Sequence, residues 1–165
     1  MCNFTLDGFY FEVNKMQITK EYFLGIWELK EFILTANEVK SYPFGRNLIG
    51  RIMYFNNGQM AVHGIGIKEE LKNSPLVWSP RMNDLQHDQT QLILENYFGY
   101  FARFEINQEN QEVLHHIEGH YIQSYIGQTF IRNYQFFENK LRLYYVENGV
   151  LNELIWERMA TISDD

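Results

Sequence analysis

The stretch "GRIMYFNNGQMAVH", Gly50–His63, decides how this chain is read. Before its turn Gly50, Ile52 and Tyr54 share one parity; after it Met60 and Val62 alternate with Ala61 and His63. Successive side chains of a strand leave opposite faces, so a period of two marks a half-buried strand. Between the two runs lies Asn57-Gly58, the pair best suited to the positive-φ positions of a tight hairpin turn. The segment is therefore a β-hairpin with one face turned to a core. The side on which His63 falls is left open, because it stands opposite in parity to Met60 and Val62.

Outward from this hairpin the same alternation recurs. It predicts strands over 25–35, 48–56, 59–67, 99–107, 112–122, 127–138, 140–147 and 150–159. "VENGV" (Val146–Val150) repeats the Asn-Gly signal, and "FENKL" (Phe137–Leu141) reads as a third tight turn. Eight sequential strands on mostly short links predict an all-β fold: an antiparallel up-and-down eight-stranded barrel in one domain over residues 1–165. Eight strands leave a lumen wide enough for one small ligand. The pattern breaks only at 68–98, which holds Pro75 and Pro80 and then "DQTQLILENYF" (Asp88–Phe98), a short helix capped by Asp88 or Thr90. An insertion of that length in a compact barrel is a lid or a fixed plug over one mouth. "FTLDGFYFEV" (Phe4–Val13) reads as an extra strand or a plug at one end.

Composition narrows the partners. Aromatic residues make up 16% of the chain, enough rings to fill a large core or line a cavity for an apolar ligand. The formal charge of −7, with Lys and Arg scattered singly, argues against a nucleic-acid partner. Cys2 is the one cysteine, so neither an internal disulfide nor a Cys-based zinc site is expected. No apolar run approaches the roughly 18 residues of a membrane span, and the first residues lack the pattern of a secretory signal. Cytoplasmic residence, as monomer or homodimer, is the expectation. Nucleophile elbow, P-loop, HExxH and dinucleotide fingerprints are absent, and no cofactor is expected.

Particular residues resemble a known family. "LGIWELKEF" is similar to the Gly-x-Trp first strand of lipocalins, with Gly25 and Trp27 matching. "YPFG" (Tyr42–Gly45), the hairpin above, "GYFARFEI" (Gly99–Ile106), "VLHHIEG" (Val113–Gly119), Gly127, Arg132 and "LIWER" (Leu154–Arg158) resemble the bacterial and fungal lipocalin-like domain family. The chain departs from it at Tyr100-Phe101-Ala102 and at Gln123-Ser124-Tyr125. The resemblance implies a ligand-binding calycin-type barrel. It also implies that Arg158 packs over the Trp27 indole as a structural closure, an interaction worth about 0.5–2 kcal/mol. Such families include a few cyclases and isomerases of natural-product pathways.

Parity then sorts the candidate site. In "EVLHHIEGHYIQ" (Glu112–Gln123), Val113, His115, Ile117, Gly119 and Tyr121 form the more apolar face, assigned to the lumen with Gly119 making room. His116, Glu118 and His120 form an outer stripe. His116 and His120 would stand about 13–14 Å apart along a strand, too far to share a metal, so no metal site is expected. In "FIRNYQF", Phe130, Arg132, Tyr134 and Phe136 share a face. A guanidinium among rings is costly to bury unless an anionic group meets it. Arg132-x-Tyr134 looks like the carboxylate clamp of fatty-acid-binding proteins; the competing partners for Arg132 are buried carboxylates, Glu31 or Glu118. Tyr54, His63, Tyr100, Phe104, His115, Tyr121, Phe130, Arg132, Tyr134 and Trp156 are the candidate ligand contacts.

Two functions follow from different classes. One is a binder that sequesters a small hydrophobic molecule with a polar or anionic head. The other is a cofactor-free isomerase, cyclase or hydratase in which His115, Arg132 and Tyr134 polarise a carbonyl and move a proton. A haem barrel with His115 as axial ligand is a third reading with no further support.

Overall fold

The computed structural model describes residues 18–69 and 87–160. Phe4–Val13, Pro75 and Pro80, named above, lie outside the described residues. Among the described residues nine strands follow in order: β1 Gly25–Ala36, β2 Val39–Ser41, β3 Leu48–Tyr54, β4 Gln59–Gly66, β5 Tyr97–Asn107, β6 Glu112–His120, β7 Thr129–Phe137, β8 Lys140–Glu147 and β9 Val150–Arg158. The helix α1 spans His87–Glu95. Every neighbouring pair is antiparallel, and β9 returns to pair with β1, which closes eight of the strands into a barrel. Closure satisfies both edges of the sheet. The ninth strand, β2, was not expected. It folds back on β1 through Asn37 and Glu38, whose φ angles of 48° and 65° make a tight turn without glycine. All three of its residues are exposed, so no hydrophobic alternation announces it.

The helix is shorter than the sequence suggests. It stops at Glu95, where the Asn96 side chain donates to the Leu92 carbonyl at 2.8 Å. Tyr97 and Phe98 already pair with Ile65 and Gly64, so β5 begins two residues before its predicted start. Asp88 and Thr90 lie in the first turn, one and three residues after the helix begins, where their side chains are outside the described residues.

One end of the barrel is closed by packing that no strand pattern reveals. A short 3-10 turn, Lys20–Tyr22, drops Phe23 into the core with no exposure at all. Its ring meets Tyr54, Tyr134 and Phe136 edge-on at centroid distances of 5.5, 5.1 and 5.0 Å. Beside it, the Trp27 indole N–H donates to the Phe23 carbonyl at 2.7 Å. The Arg158 guanidinium lies 4.0 Å from the Trp27 ring centroid. It donates to the Leu24 carbonyl at 2.6 Å and also to the Tyr22 carbonyl. Gly25, at φ +113°, takes a backbone conformation that side chains rarely adopt and leaves that guanidinium its place. Gly25, Trp27 and Arg158 thus form one latch. Arg158→Met should lower the free energy of urea unfolding by about 1–2 kcal/mol, from the lost cation–π contact and charged hydrogen bonds. An unchanged unfolding midpoint would mean that the latch carries no stability.

Candidate functional site

Above the closed end the lumen opens into a cavity of about 690 Å³, within the range typical of small-molecule sites. Ile52, Val62, Leu143, Leu154 and Trp156 make its inner wall. Around the mouth, Phe32, Phe44 and Phe98 form an aromatic group, with Phe44 5.4 Å from Phe32 and 5.5 Å from Phe98. Exposed Leu94 and Glu95 at the end of α1 complete that side. The described end of the insertion therefore borders the mouth.

Of the ten candidate contacts, Tyr100, His115, Tyr121, Phe130, Arg132 and Trp156 line the cavity. Four do not. His63 points outward and is exposed, its Nδ1 3.0 Å from the Tyr97 hydroxyl. Phe104 is buried below the cavity against Tyr54, at a ring distance of 4.8 Å. Tyr134 faces inward as parity requires, but two residues along the strand from Arg132 carry it about 7 Å deeper, into the Phe23 cluster. The Arg132-Tyr134 clamp is thus not formed. Tyr54 is buried with its ring in the same cluster, and it reaches the site only through its hydroxyl.

The strand carrying the histidines corrects the parity reading at one point. Val113, His115 and Ile117 are buried on the lumen side, as expected. Between Ile117 and Gly119 the register with β5 slips: Ala102 pairs with Ile117, but Phe101 pairs with Gly119. This bulge spends Glu118 as an extra residue and reverses the faces beyond it. Gly119 therefore turns outward, where a side chain would collide with the Phe101 ring at 2.2 Å; its room is made outside the lumen. His120, assigned to the outer stripe, pairs with Tyr100 and lines the cavity. Its ring stacks on Tyr121 at 4.8 Å and 19° and lies nearly parallel to Tyr100 at 5.8 Å. Its Nδ1 accepts the Ile122 N–H at 2.9 Å, and partial burial lowers its pKa. His116 stays outside against Thr129. The two histidines lie on opposite faces, and among the described residues no group of three His, Cys, Asp or Glu is placed to hold a metal.

His115 has no exposure, and both ring nitrogens are engaged: Nε2 with the Tyr54 hydroxyl and Nδ1 with the Tyr100 hydroxyl, each at 2.9 Å. Burial, reinforced by the nearby Arg132 charge, lowers its pKa to about 3. The ring is neutral at physiological pH. Iron ligation would require breaking one of these hydrogen bonds, so the geometry does not fit an axial haem ligand. Burial also pushes the Tyr100 phenol up to about 12, against the pull of Arg132, and raises Tyr54 well above its ordinary value. An unmet buried donor at such a site costs about 1–3 kcal/mol.

Arg132 is the one cation among the described residues that line the cavity. Its guanidinium lies 3.9 Å from the Tyr145 ring centroid and 5.0 Å from that of Phe130. One N–H donates to the neighbouring Ile131 carbonyl at 3.0 Å. No carboxylate among the described residues pairs with it. Glu31 faces Arg46 at 3.9 Å and Glu118 binds Arg103 at 3.0 Å, so both competing partners are engaged elsewhere. Nearby, the Trp156 indole N–H is buried with no partner among the described residues.

Comparison with known families adds one match and one absence. The family model described as a lipocalin-like domain matches residues 24–159. No curated protein is significantly similar in sequence.

Proposed function

This chain belongs to the lipocalin-like domain family, and we propose that its barrel binds a small hydrophobic molecule through an anionic head group. Binding of small molecules in general follows from the barrel. The anionic head rests on one observation: a guanidinium set between aromatic rings in the cavity wall, with no carboxylate of the described residues to neutralise it. A half-buried guanidinium so placed keeps N–H donors for an incoming anion, which its planar fork can bind in bidentate fashion. Support for turnover as an isomerase, cyclase or hydratase is thinner. Tyr134 lies away from the cavity, and His115 has both nitrogens committed to tyrosines rather than free to take a substrate proton. Cytoplasmic residence belongs to the proposal too; its support is the lone cysteine, Cys2, which makes no internal disulfide possible.

The test is a matched pair of ligands, decanoate and decanol, titrated against bound 8-anilinonaphthalene-1-sulfonate by fluorescence. Decanoate should displace the dye at a concentration at least about tenfold lower, a difference of about 1.4 kcal/mol. Equal potency of acid and alcohol would remove the anionic head from the proposal.

A further inference from the structure

We infer that Tyr100 is a hydrogen-bond donor to the ligand's head group, its direction set by the Tyr54–His115 pair behind it, so that Arg132 and Tyr100 together clamp an oxyanion. The inference deepens the function proposed above and rests on it for the ligand, though not for the hydrogen-bond polarity. A neutral imidazole has one N–H and one lone pair. Between two phenols it must therefore donate to one and accept from the other.

The surroundings decide which. Tyr54 is 2% exposed, and His115 is the sole hydrogen-bond partner of its hydroxyl among the described residues. Were the ring proton on Nε2, Tyr54 would have to accept it, and its own O–H would be left buried without an acceptor. With the proton on Nδ1, Tyr54 donates to the Nε2 lone pair and Tyr100 accepts from Nδ1–H. The Tyr100 O–H is then free. Tyr100 lines the cavity, where a ligand oxygen can meet that proton.

Two further facts point the same way. Arg132 and Tyr100 both line the cavity, and the Arg132 charge acts on the Tyr100 phenol. Trp156 lines the same space, and its buried N–H, without a partner among the described residues, can only donate. Among the described residues that line the cavity, the carboxylates are the exposed Glu95 and Glu147. The inner site thus offers donors to its ligand. It suits a carboxylate, or the oxyanion of an acidic enol or phenol, and disfavours an ammonium head.

The polarity can be read without any ligand. In the full chain with ¹⁵N-labelled histidine, the His115 signals are assigned by their loss in His115→Phe. Nδ1 should resonate as a protonated, pyrrole-type nitrogen and Nε2 as an unprotonated, pyridine-type one. The opposite pattern overturns the inference. The clamp is read with decanoate and decanol: Tyr100→Phe should weaken decanoate about tenfold and leave decanol unchanged. If Arg132→Met abolishes the preference for acid over alcohol while Tyr100→Phe does not touch it, the anionic-ligand reading stands and the clamp falls. If neither variant alters it, both fall.

Discussion

Acidifying from pH 7.5 to 5 should cost the wild-type chain about 2 kcal/mol more unfolding free energy than it costs His115→Phe. His115 titrates near 6.5 when the chain is unfolded, but burial holds it at about 3 in the fold. Between those values the unfolded state binds more protons. Stability is therefore full above about pH 6.5, falls by at most about 1.4 kcal/mol per pH unit below it, and levels off near the folded value. His115→Phe removes that slope. It also lowers stability at pH 7.5 by about 1–3 kcal/mol, because the Tyr54 hydroxyl loses its acceptor. Adding Tyr54→Phe should restore much of the loss, since replacing both partners leaves no buried donor unmet. Urea titrations at the two pH values measure all of this. Parallel pH dependence in wild type and His115→Phe would mean that the ring charges within the fold and is not sealed between its tyrosines. Histidines elsewhere, including the partly buried His120, are common to both proteins and cancel in the comparison.

The barrel was legible because its hairpins carry local signals. Asn57-Gly58 and Asn148-Gly149 mark their turns, and Ile52, Tyr54, Phe104, Val113 and Ile117 all face the core that alternation assigns them. What alternation cannot supply is depth and register. Arg132 and Tyr134 share a face, yet one lines the cavity and the other packs under it, because a two-residue step along a strand is as long as a small ligand's head group is wide. The bulge at Glu118 is a matter of pairing between strands: nothing within β6 alone says that Phe101 rather than Ala102 stands opposite Gly119. Its one trace in the sequence is Gly119 itself, a residue that often marks a bulge or a close approach. Parity makes it room for a ligand, and the bulge makes it room for the Phe101 ring. The same limit hid the contact that organises the site, since Tyr54 and His115 lie 61 residues apart and meet only when the barrel closes.

Arg132→Met should leave thermal stability unchanged or raised while weakening decanoate by about 1.5–3 kcal/mol, the usual worth of a charged hydrogen bond. Methionine suits the test because its flexible, polarizable thioether keeps contact with the Tyr145 and Phe130 rings while discarding the charge. The alternative role for this half-buried arginine is internal pairing, and removing one partner of a buried pair costs about 3–5 kcal/mol by stranding the other charge. The two acids that parity offered for that role hold Arg46 and Arg103 instead, so the substitution strands neither. Melting curves and dye displacement on this one variant separate the outcomes. A large fall in melting temperature with decanoate affinity retained would make Arg132 a strut of the barrel wall; stability retained with affinity lost makes it the anchor around which the cavity is built.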